Sequence, residues 1–357
     1  MQELSKYANI TIISSQVEGT KSKEIINPNL RIYRFKPTAY LPKLPYTLDF
    51  LLIKRIHRYC KNNRCDVIIG YSLQFFSCFS AAIAAKACNI PFICRIVGAS
   101  KTTNKIGIEL ISKLYDRSLA KITLKLAKKV LVQSKSLMSR PLELGLSPSK
   151  IAIVEDGIDF ERFSQEFDRE SLKRNLNITN SKVVISFISR LFELKGIEDL
   201  ILVAKKILKE GENVLFLIAG TGSLEKKVKK ITKNVENIIY LGYRKDVPNL
   251  LAISDIYVLP SYSEGLSPAI LEAMASGLPV VTTRVGSNPD MFINGKFDSL
   301  IEPGDISNLK KILIKFIHDT PLRKELGSLN RKNVQENFDL KKTAIKFLAE
   351  IEKLLLI

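Results

Sequence analysis

The sequence contains no tryptophan and only two histidines, His57 and His318, which excludes a histidine-rich metal site. Its five cysteines all lie in the first hundred residues, and no two of them form a C-x-x-C pair. An odd number of cysteines without metal-ligand spacing indicates reduced thiols rather than disulfides or a zinc site.

Long apolar runs are also absent. The most apolar stretch, Leu73–Ala85, is interrupted by Gln74 and followed by Lys86. It is shorter than the roughly 20 residues needed to span a bilayer, so it predicts a buried helix. The first residues, Met1–Lys6, lack the apolar segment of a signal peptide. These features predict a cytoplasmic protein.

Acidic residues are scarce in the first part of the chain. The 357 residues carry a formal charge of +19, and residues 1–160 hold 25 Lys and Arg against 11 Asp and Glu. Such an excess favours an anionic partner, which could be nucleic acid, a membrane surface or a phosphorylated acceptor. A basic composition without such a partner is the alternative. We expect no nucleic acid as partner, because the basic part lacks an aromatic-basic recognition motif.

Short apolar runs alternate with longer amphipathic ones along most of the chain, which predicts parallel sheets covered by helices on both faces. One series ends near Ile151–Val154, and a second begins at Val183–Ile188. We therefore expect an α/β protein with two Rossmann-like domains joined by the polar stretch Phe163–Ser181. The expected boundaries are 1–165 for the N-terminal domain, 166–338 for the C-terminal domain and 339–357 for a final helix.

Two cations and two glycines follow the first two strands of the second series. Arg190 and Lys195 can clamp one diphosphate, although an exposed surface pair is the commoner explanation for such a spacing. Gly220 and Gly222 open a helix, where a backbone can approach a phosphate closely. A tight turn without a ligand explains the glycines equally well.

Two glutamates follow a later strand of the same series. Glu264 lies in a glycine-containing loop and Glu272 lies inside the next helix, beside Ala273–Ala275. A carboxylate in apolar surroundings needs partners, and a vicinal diol suits it. The alternative is a helix cap at Glu264 and a solvated helix residue at Glu272. Eight helical residues separate them by about 12 Å, which disfavours a glycoside hydrolase pair.

These motifs resemble those of the family 4 retaining glycosyltransferases, or glycosyl transferases group 1. Glu264 and Glu272 match the E-x7-E motif of that family, and Arg190 and Lys195 match its Arg-x4-Lys pair. The match covers roughly residues 130–357. It implies a GT-B fold, in which two Rossmann-like domains face a cleft and the last helix, 339–357, returns to the N-terminal domain.

The resemblance also implies residue roles. Arg190, Lys195 and Glu264 would be catalytic: the cations would bind the donor diphosphate and Glu264 the transferred sugar, while Glu272 would bind the ribose. The implied donor-binding set is Arg190, Lys195, Gly220, Gly222, Gly242, Tyr243, Arg244, Glu264, Gly265, Leu266, Ser267 and Glu272. We expect neither a metal nor a cofactor, because the two cations and a helix N-terminus can stabilise the leaving diphosphate.

The implied function is transfer of a sugar from a UDP- or GDP-linked donor to a glycan or lipid-linked acceptor, in the synthesis of cell-surface polysaccharide or glycolipid. An epimerase of the same fold and a non-catalytic or degenerate nucleotide-sugar-binding protein stay open as alternatives. The second is supported by Val97, which stands where the family often has a histidine, and by the short N-terminus.

The first half departs from the family pattern in one further respect. The run Ile10–Ser14 resembles the family's second strand, so we expect the N-terminal domain to lack its first strand and helix, and transfer to be weak or absent.

A basic stripe with a spacing of three and four is predicted for one helix of the N-terminal domain. It comprises Lys113, Arg117, Lys121, Lys125, Lys128 and Lys129. Such a helix can lie on an anionic membrane, which would make the protein peripheral at the inner face, or it can be an ordinary solvated helix.

Overall fold

The computed structural model describes residues 1–40, 47–98, 115–178, 182–292 and 299–356. The chain forms two compact units. The first consists of Met1–Asp156 together with Lys341–Ile357, and the second consists of Gly157–Leu340. The chain therefore passes from one unit to the other twice.

The first unit contains a four-stranded parallel sheet and a separate three-stranded sheet. Its strands are β1 (Ile10–Ser15), β2 (Lys23–Asn27), β3 (Leu30–Phe35), β4 (Ala39–Tyr40), β5 (Thr47–Leu48), β6 (Ile68–Tyr71), β7 (Phe92–Ile96), β8 (Lys129–Val132) and β9 (Ile151–Ile153). The four-stranded sheet has the order β6-β7-β8-β9 and the other the order β1-β3-β2, while β4 and β5 pair with each other. Strand β2 runs antiparallel to β3. The sequence pattern predicts parallel strands for this part of the chain and does not predict β2. Within the described residues, β1 pairs with β3 alone and β6 with β7 alone.

Helices cover both faces of the four-stranded sheet. They are α1 (Leu51–Asn62), α2 (Phe76–Cys88), α3 (Lys121–Leu126) and α4 (Ser139–Glu143), and a π-helix, Asp116–Ala120, leads into α3. Leu52, Ala82 and Leu124 pack with Phe92 and Val130 in one core. On the other face, Phe347 of the last helix packs with Ile93 and Leu131. The first part of the helix predicted near residues 107–128, which includes Lys113, lies outside the described residues.

The second unit is built on a single six-stranded parallel sheet. Its strands are β10 (Val183–Ile188), β11 (Val214–Ala219), β12 (Ile238–Gly242), β13 (Ile256–Leu259), β14 (Val280–Thr283) and β15 (Leu300–Ile301). Their order is β12-β11-β10-β13-β14-β15. The prediction of parallel Rossmann-like sheets is confirmed here, and β10 lies beside β13 although two strands intervene in the sequence.

The remaining helices, with the last one included, are α5 (Phe160–Ser164), α6 (Arg169–Asn175), α7 (Ile197–Lys209), α8 (Glu225–Thr232), α9 (Val247–Ala252), α10 (Pro268–Ala275), α11 (Ile306–His318), α12 (Thr320–Asn337) and α13 (Leu340–Leu355). The polar stretch expected to join the domains contains α6. Asp168 stabilises the start of this helix by accepting a hydrogen bond from the Ser171 backbone N–H. From Lys341 onward, α13 belongs to the first unit.

The sequence explains why the second sheet is buried on both faces. Strand β11 reads Val-Leu-Phe-Leu-Ile-Ala, and every one of its residues is buried. Such continuous apolar runs are typical of central parallel strands, which helices cover on both sides. All six strands point the same way, so their carboxyl ends meet at one edge of the sheet. In open parallel sheets, ligands bind beyond this edge.

Candidate functional site

The loop after β10 places two cations at the carboxyl edge of the second unit. Arg190 is exposed, and its guanidinium lies 5.4 Å from the centroid of the Phe192 ring. Lys195 ends a single-turn helix, Glu193–Lys195, and is half-buried. Gly196 follows with φ of +68°, and a Cβ there would lie 1.9 Å from the Pro260 carbonyl oxygen. The loop therefore packs directly against the end of β13.

The two predicted phosphate-loop glycines are required by packing. A Cβ on Gly220 would lie 1.8 Å from the Ser189 carbonyl oxygen, and one on Gly222 would lie 2.3 Å from that of Leu191. The Leu191 N–H also donates to the Thr221 carbonyl at 2.9 Å. Both glycines thus allow the loop after β11 to contact the loop that carries Arg190. Their role towards a phosphate stays a prediction.

The segment after β12, residues 242–244, offers backbone groups and the ring of Tyr243 for contact with a ligand. Gly242 has φ of +69°, and its carbonyl accepts a hydrogen bond from the Gly220 N–H at 2.7 Å. Tyr243 is 68% exposed. Arg244 donates to both carboxylate oxygens of Asp246, at 2.8 and 2.6 Å, and this bond lowers the pKa of Asp246. Because the Arg244 side chain is bound to Asp246, the backbone of Arg244 is the part best placed to contact a nucleobase.

The loop after β13 carries Glu264, which is only 7% exposed. Lys195 Nζ donates to its two carboxylate oxygens at 2.7 and 2.8 Å, and Ser261 Oγ donates to Oε1 at 2.7 Å. The backbone of Glu264 is held as well, because a Cβ on Gly286 would lie 1.9 Å from its carbonyl oxygen. The structure therefore brings together two residues, Lys195 and Glu264, for which the sequence predicts different parts of one ligand.

Helix α10 begins directly after this loop. Leu266 and Ser267 are buried, and the Ser267 side chain makes no capping hydrogen bond to the helix. Pro268 occupies the first helical position, where its missing N–H costs nothing. The first N–H groups of α10 and the backbone of Gly265 thus remain suited to an anion or an oxygen ligand.

Glu272 lies on the second turn of α10 and is half-buried. Among the residues that the structure describes, none donates a hydrogen bond to its carboxylate. Burial raises the pKa of Glu272 to about 7, and the charge of Arg162 opposes this shift. A half-buried carboxylate without hydrogen-bond donors is suited to a ligand that supplies them, such as a vicinal diol.

A second polar cluster, in the first unit, was not predicted as such from the sequence. Arg95 on β7 is 1% exposed, and its Nη2 lies 2.6 Å from Asp156 Oδ1. Gln133 donates to the other oxygen of Asp156 and accepts a hydrogen bond from the Gly98 N–H at 3.0 Å. The Arg95 guanidinium also lies 5.5 Å from the Phe347 ring centroid, and its buried Nη1 has no hydrogen-bond partner within the described part of the chain. The sequence signal would have been an arginine inside an otherwise apolar strand.

Two kinds of feature are absent from the described residues. No three of their His, Cys, Asp and Glu side chains are arranged so as to hold a metal ion. No helix within the described ranges is both long and apolar enough to cross a membrane.

Comparison with known families gives two matches that follow each other along the chain. The model of Glycosyltransferase Family 4 matches residues 3–162, and the model of Glycosyl transferases group 1 matches residues 168–333. The second match contains Arg190, Lys195, Glu264 and Glu272.

Two relatives align over most of the chain. One is the UDP-Gal:alpha-D-GlcNAc-diphosphoundecaprenol alpha-1,3-galactosyltransferase of Escherichia coli, which is 27% identical over 77% of this chain and 72% of its own. The other is an uncharacterized glycosyltransferase of Methanocaldococcus jannaschii, 25% identical over 97% of this chain and 90% of its own. Among solved structures, the Anabaena protein HepE in complex with UDP superposes with a TM-score of 0.75, at 19% identity, over 91% of this chain and 86% of its own. Neighbours of this kind share the GT-B fold, so the expected fold class is confirmed.

Proposed function

The chain belongs to the family 4 glycosyltransferases, and from this we propose that it transfers a sugar from a nucleotide-diphosphate donor, with retention of anomeric configuration and without a metal ion. The observation that carries the proposal is the arrangement at the carboxyl edge of the second sheet. There Lys195 contacts Glu264, and on the second turn of the following helix Glu272 accepts no hydrogen bond at its carboxylate from any described residue. One nucleotide sugar can contact all three residues, with its ribose at Glu272, its diphosphate at Lys195 and its sugar at Glu264.

The charges of the site suit a diphosphate leaving group. Arg190 is exposed, and its planar fork can bind two phosphate oxygens at once. Lys195 has three N–H groups, of which two reach Glu264, so one remains for a phosphate oxygen. The N–H groups at the start of α10 add positive potential. These groups can stabilise the negative charge that develops as the sugar–phosphate bond breaks.

We propose UDP as the nucleotide, because the Escherichia coli relative is named for UDP-Gal and the structure of HepE holds UDP. The half-buried Glu272 would accept hydrogen bonds from both ribose hydroxyls. The backbone of Gly242 and Tyr243 would contact the base.

We propose a lipid-linked glycan as the acceptor. The acceptor named for the Escherichia coli relative is a sugar diphosphate on undecaprenol, which resides in a membrane. In this chain Lys121 and Lys125 are exposed on α3, and Ile122 between them is 44% exposed. Cationic residues that flank an exposed apolar side chain favour contact with an anionic membrane surface.

A donor screen tests the proposal. The purified protein is heated with UDP, GDP, UDP-glucose, UDP-galactose, UDP-GlcNAc and GDP-mannose, and its melting temperature is recorded. A ligand at 100 times its Kd adds about 2.7 kcal/mol to the stability of the native state. We expect stabilisation by the UDP compounds, which Glu272→Ala abolishes. The matched control is Glu336→Ala, which removes an exposed carboxylate from α12. Absence of stabilisation by every nucleotide would overturn the proposed function.

A further inference from the structure

Ser261 connects the end of β13 to the carboxylate of Glu264. Its side chain is fully buried, and its hydroxyl donates to Glu264 Oε1 at 2.7 Å. The carbonyl of Ser261 accepts a hydrogen bond from the Thr283 hydroxyl, and Thr283 is itself buried on β14. The backbone of Ser261 is therefore anchored to β14, and its hydroxyl holds one oxygen of Glu264.

The hydrogen bonds to Glu264 leave one acceptor position open. A carboxylate has about four lone-pair positions, two on each oxygen. Among the described residues, Lys195 and Ser261 both donate to Oε1, while Lys195 is the only donor to Oε2. A ligand hydroxyl can therefore find one free position on this carboxylate, and that position is on Oε2.

We propose that Ser261 is a positioning residue that determines donor-sugar specificity: by occupying Glu264 Oε1, it leaves Oε2 as the acceptor for one hydroxyl of the transferred sugar. This inference rests on the proposed function. The ligand group is a hydroxyl of the hexose ring, and Oε2 accepts a hydrogen bond from it only if the hydroxyl points towards this oxygen. Two hexoses that differ in the direction of one hydroxyl then bind with different affinity, because only one of them reaches Oε2.

Removing the Ser261 hydroxyl relaxes this selection. In Ser261→Ala the Glu264 carboxylate loses a hydrogen bond that fixes its orientation, so its oxygens can shift and the hydroxyl of either hexose finds an acceptor. The affinity for the nucleotide should change less, because the single O–H of Ser261 donates to Glu264 and acts on the diphosphate only indirectly, through Lys195. A purely structural role would instead weaken the binding of nucleotide and sugar together.

The experiment compares UDP, UDP-glucose and UDP-galactose by calorimetric titration of the whole chain. In the wild type we expect one of the two sugar nucleotides to bind at least about tenfold more tightly than the other. In Ser261→Ala this ratio should fall about fivefold or more, while the Kd for UDP stays within about twofold. Ser261→Cys, which replaces the hydroxyl by a larger thiol that is only a weak donor, should give an intermediate ratio.

The matched control is Ser254→Ala. Ser254 is also buried in the second unit, and its hydroxyl donates to the Leu250 carbonyl at 2.7 Å, away from Glu264. This variant should keep the wild-type ratio. In a Glu264→Gln background, Ser261→Ala should produce no further change in the ratio, because both act through the same carboxylate.

The outcomes separate the two proposals. A wild-type protein that binds no UDP compound overturns the proposed function and this inference with it. A wild type that binds them without preference, a Ser261→Ala or Ser261→Cys variant that keeps the full preference, or a Ser261→Ala variant that loses UDP affinity to the same extent overturns the role of Ser261 alone.

Discussion

Lys195 Nζ lies 2.7 and 2.8 Å from the two carboxylate oxygens of Glu264, so a residue expected at the donor diphosphate contacts a residue expected at the donor sugar. The pair is mostly buried, with side-chain exposures of 14% and 5%. Each partner therefore neutralises the other, whereas Arg190, at the same edge of the sheet, is exposed. A phosphate that binds Lys195 also acts on the carboxylate that holds the sugar.

Donor affinity should depend on pH through Glu272. Burial raises the pKa of this carboxyl to about 7, and only its ionised form accepts hydrogen bonds at both oxygens. The affinity for UDP-glucose should therefore rise up to about tenfold per pH unit below about pH 7 and level off above it. Titration calorimetry across this range measures the effect. Glu272→Gln should bind more weakly and show no such rise, whereas a flat profile for the wild type would contradict the role of Glu272.

The same carboxyl has an opposite effect on stability in the absence of ligand. Its pKa is about 7 in the native state and about 4.3 in an unfolded chain, so the native state binds more protons between these values. The contribution of Glu272 to the unfolding free energy is then fully present below about pH 4.3 and is lost as the pH rises through about 7. Binding and stability thus change in opposite directions over one pH window.

Gly286→Ala should damage the site more than a comparable glycine replacement. Gly286 has φ of +53°, and a Cβ there would lie 1.9 Å from the Glu264 carbonyl oxygen. Gly211 also has a positive φ, +85°, but a Cβ added there would have no atom within 4 Å. Both alanines bear the cost of a left-handed backbone, about 1–2 kcal/mol. Only Gly286→Ala must also move Glu264.

The measurement for this pair is the melting temperature together with the Kd for UDP-glucose. Gly211→Ala should lower the melting temperature slightly and leave the Kd unchanged. Gly286→Ala should lower the melting temperature further and weaken binding about tenfold, which corresponds to about 1.4 kcal/mol. Equal Kd values for the two variants would contradict the positioning of Glu264 by this contact.

The Arg95–Asp156 pair joins a buried guanidinium to a carboxylate whose side chain is 55% exposed. Asp156→Ala leaves the buried guanidinium without its anion, and because solvent screens the exposed carboxylate this should cost about 1–2 kcal/mol, less than for a fully buried pair. Replacing both residues, in Arg95→Met with Asp156→Ala, should recover most of that loss. Hydrogen exchange of the β7 and β8 amides reports on the opening of this unit. A double variant as unstable as Asp156→Ala would argue against the pair.

Membrane contact through α3 can be tested with vesicles. Replacing Lys121 and Lys125 by glutamine should weaken sedimentation with anionic vesicles by about 2 kcal/mol, at about 1 kcal/mol for each residue. The control replaces Lys205 and Lys206, two exposed lysines on α7 of the other unit, by glutamine. Added salt should weaken binding of the wild type. Equal sedimentation with neutral and anionic vesicles would make the basic face of α3 an ordinary solvated surface.

The sequence predicts the two Rossmann-like sheets because their strands are continuous apolar runs, as β11 is. Strand β2 escapes this pattern, since Lys23–Asn27 is an edge strand whose residues are largely exposed. At the candidate site, the chain order of the motifs is visible in the sequence. The contact between Lys195 and Glu264 is not, because it depends on β10 lying beside β13 in the sheet.

The Arg95–Asp156 pair shows the same limit in the first unit. A buried arginine can be inferred from its position in an apolar strand, but its partner lies 61 residues away, after another strand. The glycines at 220 and 222 show a different limit. Their sequence pattern fits both a phosphate loop and a tight packing contact, and only the distances to Ser189 and Leu191 reveal the packing requirement.

The central claim, metal-independent transfer with retention, is tested most directly by following donor turnover by proton NMR in the presence of EDTA. The donor is the UDP-sugar that stabilises the protein most, and the acceptor is a GlcNAc-diphosphate on a short polyprenol. The account predicts that the first product carries the transferred sugar in the α configuration of the donor, and that Lys195→Ala slows its formation. A β-configured product, or turnover that stops with EDTA and returns with added Mn²⁺ or Mg²⁺, would contradict it.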